Sequence, residues 1–120
     1  MRNFSLKTAT RQEIDAYVQS PLPFTSYVFK VMEDDVLLAF IGFYRKDNVV
    51  VLFSSVLPFV YSQLKRYKRA FVFAYRSIMP LLESVHLPIA AAADPEIDGS
   101  AKFLTHYGFR YYKEDTYVRY

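Results

Sequence analysis

With 120 residues, of which 52% are hydrophobic, the chain is long enough and apolar enough to bury one core as a single domain over residues 1–120. The composition, with 22% charged residues, excludes disordered, collagen-like and coiled-coil proteins, and the absence of cysteine excludes disulfides, thiolate metal sites and cysteine nucleophiles. A net charge of +3 is small, so strong nucleic-acid binding is not expected.

Neither a secretory signal nor a membrane span is predicted. No apolar run follows the basic residues of the amino terminus. The longest nearly uncharged stretch, residues 49–63, contains serines, a proline and a glutamine, and it is shorter than the roughly 18 apolar residues that cross a bilayer. We therefore expect a soluble intracellular protein.

The chain opens with a strand followed by a helix. Residues 4–9 alternate between apolar and polar side chains, as in a half-buried strand. Thr10 and Glu13 then fit the capping-box pattern that begins a helix, and Pro21 and Pro23 are expected to end it.

An antiparallel meander of three strands is predicted next, over residues 26–32, 36–44 and 49–57. The first two strands flank the acidic turn formed by residues 33–35, whose like charges are expected to face solvent. The second and third strands, residues 36–44 and 49–57, are almost continuously hydrophobic, which is typical of central strands covered on both faces.

A long amphipathic helix follows from about residue 60. Apolar residues recur in alternating steps of three and four and predict one buried stripe. The stripe consists of Leu64, Tyr67, Phe71, Ala74, Ile78, Leu81 and Val85. Because Pro80 lacks a backbone N–H, the helix is expected to kink or end near residues 76–79.

The carboxy-terminal third predicts a buried strand, a short helix and a hairpin. Asp98 is placed to cap the helix, Gly108 to end it, and Phe109 to fold back as its hydrophobic contact. The strand covers residues 87–93, the helix residues 99–107, and the hairpin residues 109–113 and 116–120, turning at Glu114 and Asp115.

This order resembles the fold of the GNAT acetyltransferases over essentially the whole chain. Two local segments agree with that family: Val56-Leu57-Pro58 at the end of the fourth strand, and the segment 101–109, which matches at Ala101, Phe103, Gly108 and Phe109. The resemblance implies an α+β fold with a mostly antiparallel sheet of about seven strands flanked by three helices.

The residues on which the family's chemistry depends are absent from this sequence. The glycine-rich loop that holds the coenzyme A pyrophosphate would include Tyr61, Leu64 and Arg66, and no glycine occurs between Gly42 and Gly99. The tyrosine that serves the family as general acid corresponds to Leu104. We therefore predict a scaffold with no catalytic residues and no cofactor.

A subgroup of this family is more similar still. Residues 65–69 and 103–108 resemble the basic helix and the Phe-Leu-x-x-x-Gly segment of the small GNAT-like internal virion proteins of short-tailed phages. The resemblance implies a virion-associated protein, located in the virion or the host cytoplasm, that contacts other virion or host proteins or associates with itself. A small phage-encoded inhibitor of a host protein is a further reading.

A basic cluster is the first candidate site. It could contact phosphates, with Tyr67 stacking on a base, or it could be the solvated face of a helix with Tyr67 in the core. As an alternative function, the cluster would bind acetyl-coenzyme A in an acetyltransferase. Its members are Lys65, Arg66, Lys68 and Arg69.

The acidic residues and histidines suggest weaker candidates. Asp94, Glu96 and Asp98 could bind a hard cation, but a loop and a helix cap explain them better, so no metal site is predicted. His106 could act as a base or lie on a helix surface. His86 is expected at the end of the long helix, where a cation suits the helix dipole.

Tyrosines concentrate in the final hairpin. Because neighbouring strand residues face opposite sides, some of these rings should be exposed, either as a protein interface or simply because tyrosine favours strands. The interface candidates are Tyr111, Tyr112, Tyr117 and Tyr120.

Overall fold

The computed structural model describes residues 3–17, 26–92, 100–113 and 116–119. Seven strands form one sheet, and four helical segments accompany it. The strands are β1 Phe4–Thr8, β2 Tyr27–Glu33, β3 Val36–Lys46, β4 Val49–Val56, β5 Ile89–Ala92, β6 Arg110–Lys113 and β7 Thr116–Arg119. The helices are α1 Arg11–Tyr17, the single turn α2 Pro58–Tyr61, α3 Leu64–Glu83 and α4 Ser100–His106.

The sheet has the order β1-β2-β3-β4-β5-β7-β6. All neighbouring strands are antiparallel except β4 and β5, which run parallel. The predicted meander is therefore confirmed, and the fold is α+β with a mostly antiparallel sheet. No helix in the described part of the chain is long and apolar enough to cross a membrane.

The start of α1 confirms the predicted capping box. The backbone N–H of Thr10 donates to Oε1 of Glu13, and the backbone N–H of Glu13 donates to Oγ1 of Thr10, each at 3.1 Å between heavy atoms. Glu13 also accepts a hydrogen bond from Nζ of Lys30 on β2, at 2.8 Å, which ties the helix to the sheet. The predicted helix end at Pro21 and Pro23 lies outside the described residues.

Both faces of the central strands are covered, as the sequence predicts. Residues 38–42 of β3 are all buried. On one face Phe40 packs with Ile14 of α1, and on the other Ile41 belongs to the larger core that includes Ile78 of α3. Such two-sided burial explains the almost continuous hydrophobicity of this strand.

The expectation that the helix ends near residues 76–79 is wrong, because α3 continues to Glu83 with Pro80 inside it. Pro80 is exposed and stands in the last turn, so its missing N–H removes only one late helical hydrogen bond. Ile78 and Leu82 on either side of it are fully buried. Their packing holds the last turn in helical form.

The predicted apolar stripe is confirmed at Tyr67, Ala74 and Ile78, which are buried, and is wrong at Leu81 and Val85. Phe71 is partly buried against the core, and the side chain of Leu64 lies outside the described part of the structure. Leu81 and Val85 are 48% and 39% exposed, whereas Leu82 is fully buried. Val85 lies beyond the end of α3 at Glu83. The buried residues Ala70, Ala74, Ile78 and Leu82 follow one another in steps of four, which turns the buried face around the helix axis by about 40° per step. The buried residues of this face are Tyr67, Ala70, Ala74, Ile78 and Leu82.

The acidic turn also differs from expectation at its first residue. Asp34 and Asp35 are exposed, and Asp34 adopts a positive φ of 53°. Glu33, however, is only 7% exposed. It is the last residue of β2 and is paired on its two sides with Phe4 and Val36, which shield it from solvent.

The end of α4 confirms the predicted role of Gly108. Gly108 has a φ of 90°, its N–H donates to the carbonyl oxygen of Thr105, and the N–H of Phe109 donates to that of Leu104. This is the Schellman arrangement, and Phe109 packs in the same core as Leu104. The proposed cap Asp98 and the turn residues Glu114 and Asp115 lie outside the described residues.

Candidate functional site

Two parallel strands lie side by side near the middle of the sheet. Within the described residues, β5 pairs with β4 over Val50–Leu52, and β4 continues to Val56. Ligands of sheets with parallel strands commonly bind beyond the carboxyl ends of such strands, where neighbours diverge. The second half of β4 and the elements that follow it, α2 and the start of α3, therefore form the candidate site.

Helical backbone occupies the place where a phosphate loop would lie. Tyr61 ends α2 and Leu64 begins α3, and Arg66 lies in the first turn of α3. The carbonyl oxygen of Gln63 accepts hydrogen bonds from the N–H groups of Arg66 and Tyr67, at 3.1 and 3.3 Å. Two of the first backbone N–H groups of this helix are therefore already hydrogen bonded within the chain. No glycine is present here that would let a phosphate approach the backbone closely.

The basic cluster lies entirely on the surface. Tyr67, in contrast, is only 6% exposed and packs in the core. The interpretation that places Tyr67 in the core is confirmed, and the one in which it stacks on a base is wrong. All four cations are exposed, namely Lys65, Arg66, Lys68 and Arg69.

Phe59 is an exposed aromatic side chain beside these charges that the sequence analysis did not single out. It is 41% exposed, and its ring meets that of Tyr67 edge-on, with 6.0 Å between centroids. The guanidinium carbon of Arg66 lies 5.1 Å from the Tyr67 ring centroid on the same end of α3. An aromatic residue directly after Pro58 looks like a core residue in sequence, and no other signal marks it.

The position of the family's general acid is in the core. Leu104 is 2% exposed and has no proton to donate. Tyr107, three residues later, stacks on Tyr75 of α3 with 5.5 Å between ring centroids. Partial burial raises the pKa of Tyr75 to about 12, and the neighbouring Tyr107 adds to the rise. A phenol of that pKa is poorly matched to proton transfer near neutral pH.

The two histidines do not form a catalytic arrangement. His106 is exposed in the last turn of α4, and its ring meets that of Tyr107 edge-on at 5.4 Å between centroids. His86 follows α3, as predicted, and adopts a positive φ of 58°. Within the described ranges, neither histidine is hydrogen bonded to a hydroxyl group that could serve as nucleophile.

No cation site is present in the part of the chain that the structure covers: no three acidic or histidine side chains there are placed to hold a metal ion. Asp94, Glu96 and Asp98 fall in the undescribed segment 93–99.

The final hairpin presents two of its tyrosines to solvent. All four residues of β6 are exposed, with Tyr111 and Tyr112 at 64% and 61%. Tyr117 of β7 is half-buried against the core, and its ring meets that of Tyr111 edge-on at 5.7 Å between centroids. Tyr120 lies outside the described residues. Because β6 is an edge of the sheet, Tyr111 and Tyr112 are accessible to another molecule.

A shallow groove of about 500 Å³ lies elsewhere, at the opposite end of β4. Tyr27 and Phe43, stacked at 5.3 Å between ring centroids, line it together with Val50 and Val85. It is therefore distinct from the candidate site.

Searches of protein-family models and of curated proteins found no match. Several solved structures share the fold. The chain superposes on the ribosomal-protein-S18-alanine N-acetyltransferase from Escherichia coli with a TM-score of 0.65 and 13% identity, covering 98% of this chain and 91% of that one. A GNAT-family acetyltransferase from Staphylococcus aureus Mu50 superposes with a TM-score of 0.59 and 14% identity, and the match covers 98% of both chains.

The N-acetyltransferase PseH from Campylobacter jejuni is also similar, with a TM-score of 0.51 and 16% identity over 96% of this chain and 94% of that one. Similarity at this level of identity concerns the arrangement of the backbone and not the chemistry of the site. Together with the strand order and the parallel pairing of β4 with β5, these comparisons show that the chain has the GNAT acetyltransferase fold.

Proposed function

We propose that this chain is a non-catalytic protein of GNAT fold that acts through contacts with other proteins. The observation that carries the proposal is the replacement of the phosphate loop by helical, glycine-free backbone from Pro58 onward. The buried Leu104 at the general-acid position supports it independently. Binding of the cofactor and protonation of the leaving thiolate are separate requirements of acetyl transfer. The missing phosphate loop bears on the first requirement, and the buried Leu104 bears on the second.

We propose further that the protein belongs to the virion of a short-tailed phage, where it contacts other virion proteins. The support is the resemblance of residues 65–69 and 103–108 to segments of small internal virion proteins. On this proposal Tyr111 and Tyr112 on the edge strand form one contact surface. Quantitative mass spectrometry of purified particles tests whether the protein is a virion component. A virion component has a fixed copy number per particle, whereas an inhibitor of a host protein is absent from particles.

Calorimetric titration with acetyl-coenzyme A and coenzyme A tests whether the protein has lost the ability to bind the cofactor that acetyl transfer requires. We expect neither heat of binding nor a change in melting temperature. Dissociation constants tighter than about 100 μM, which correspond to roughly 5.5 kcal/mol, would contradict the proposal.

A second candidate function is an acetyltransferase that holds acetyl-coenzyme A through the basic cluster. The observation in its favour is that four exposed cations stand at the start of α3, the long helix that follows β4 and α2. On this reading the double variant Lys65→Gln and Arg66→Gln abolishes the heat of binding. The matched variant Lys7→Gln and Lys46→Gln, which removes the same charge from exposed positions on β1 and β3, leaves the heat unchanged.

A further inference from the structure

One face of α3 carries a row of cations. Arg69 and Arg76 stand four and eleven positions after Lys65, which places all three within about 40° of one another around the helix axis and over about 16 Å of its length. Lys68 flanks the row, about 60° away. All four side chains are exposed. We call Lys65, Lys68, Arg69 and Arg76 the basic face.

Among the described residues, no acidic side chain pairs with this face. The sequence contains no Asp or Glu between Asp47 and Glu83. In the described part of the chain none of the four side chains of the basic face takes part in an ion pair, and the first turn of α3 contains no acidic residue. A solvated helix surface normally mixes both signs of charge, so this face departs from the usual pattern.

The arrangement opposes the stability of the helix. Positive charges near a helix amino terminus are unfavourable because the helix dipole is positive there. Lys65 and Arg69, at positions i and i+4, repel each other as well. A row of charges that weakens the isolated fold is explained if a negatively charged partner covers it.

We propose that the basic face of α3 docks onto an acidic surface of a partner protein. This inference rests on the proposed function as a protein that acts through contacts, and it adds the chemistry of the partner. Charge complementarity favours an acidic occupant. Arginine is also enriched at protein interfaces, and two of the four residues of the basic face are Arg69 and Arg76.

Nucleic acid is less well suited to this face. Tyr67, the aromatic residue among the charges, is in the core and cannot stack on a base. Outside Lys65, Arg66, Lys68 and Arg69 the chain has 11 basic against 12 acidic residues, so no wider positive field supports binding of a long polyanion. The basic face is a convex helix ridge and not a groove that could track a phosphate backbone.

Fluorescence anisotropy with a labelled polyglutamate peptide of about 20 residues tests the proposal at low ionic strength. We expect the unmodified protein to bind the peptide and the double variant Lys65→Glu and Arg69→Glu to bind about tenfold more weakly or less. The matched variant Lys7→Glu and Lys46→Glu changes the net charge equally at exposed positions on other elements, and we expect its affinity to stay within about twofold of the unmodified protein.

Melting temperatures establish that the variants fold. The double variant Lys65→Glu and Arg69→Glu keeps a like-charged pair at i and i+4, but it places carboxylates near the helix amino terminus, where the helix dipole favours negative charge. Its melting temperature should therefore equal or exceed that of the unmodified protein. A gain in stability accompanied by a loss of binding would support a docking role, because a purely structural residue pair would lose both together.

Three results would overturn the proposal. Equal weakening in both double variants would mean attraction by net charge alone. Tighter binding of a 20-nucleotide oligo-dT than of polyglutamate would favour nucleic acid. Absence of polyglutamate binding would overturn the docking proposal but leave the proposed function intact, with the final hairpin as the contact surface. Displacement of bound acetyl-coenzyme A by polyglutamate would instead contradict the proposed function itself.

Discussion

The backbone N–H of Phe109 donates a hydrogen bond to the carbonyl oxygen of Leu104, with 3.1 Å between nitrogen and oxygen. Both side chains are buried in the main core, at 1% and 2% exposure. The turn that ends α4 therefore holds Leu104, the position that the resemblance to acetyltransferases assigns to a general acid, inside the main core.

Gly108→Ala should destabilise the protein by about 1–2 kcal/mol. Gly108 has a φ of 90°, which side chains other than glycine rarely adopt, and an added Cβ would lie 3.2 Å from Nε of Arg119. Urea unfolding measures the loss. Gly108→Asn, which tolerates positive φ better, serves as the control and should lose less; equal losses would show that contact with Arg119 and not the backbone conformation matters.

Leu104→Tyr should not restore acetyl transfer. The larger side chain has to enter a filled core, which typically costs about 1–3 kcal/mol, and its hydroxyl would need a buried partner. The assay is release of free coenzyme A thiol from acetyl-coenzyme A, with thermal melting of the same samples. Leu104→Met conserves volume and should melt within a few degrees of the unmodified protein; measurable turnover by Leu104→Tyr would show that the cofactor site is intact.

The features that the sequence predicted correctly are local. The capping box joins Thr10 and Glu13, and the end of α4 is set by Gly108 and Phe109. Each of these signals depends on hydrogen bonds within about five residues, so the residue types alone decide them. The same holds for the absence of phosphate-loop glycines, which can be observed in sequence directly.

The features that the sequence did not predict depend on contacts between distant elements. Whether Leu81 or Leu82 faces the core follows from the rotation of α3 on the sheet, and burial of Glu33 follows from its pairing with β1 and β3. The stacking of Tyr75 on Tyr107 joins α3 to the end of α4. Periodicity gives the face of a helix only to within about one residue over several turns.

Gly42→Ala should be among the most destabilising single substitutions, by about 2–3 kcal/mol. A Cβ at this position would collide with the backbone oxygen of Tyr27 and would lie 2.8 Å from the ring of Phe53. The backbone oxygen cannot move away without disturbing the pairing of β2 with β3. Urea unfolding tests this, and Ala39→Gly on the same strand, which removes a buried methyl group without any collision, should lose less, near 1 kcal/mol.

The carboxylate of Glu13 should make stability depend on pH in the acid range. The hydrogen bond from Lys30, followed by those from Thr10, lowers the pKa of Glu13 below its ordinary value of 4.5. A lowered pKa in the folded state means that this stabilisation is fully present above about pH 4.5 and is lost as the pH falls through the folded-state pKa. The difference in melting temperature between the unmodified protein and Glu13→Gln should therefore be larger at pH 6 than at pH 3.

Asp15→Asn provides the matched control for this measurement. Asp15 lies on the same helix, is exposed, and pairs only with Arg11 at 3.3 Å on the surface, so its removal should have little effect at either pH. A difference for Glu13→Gln that stays constant between pH 3 and pH 6 would mean that the hydrogen bonds of Glu13, which a glutamine retains in part, account for its contribution to stability, and that its charge does not.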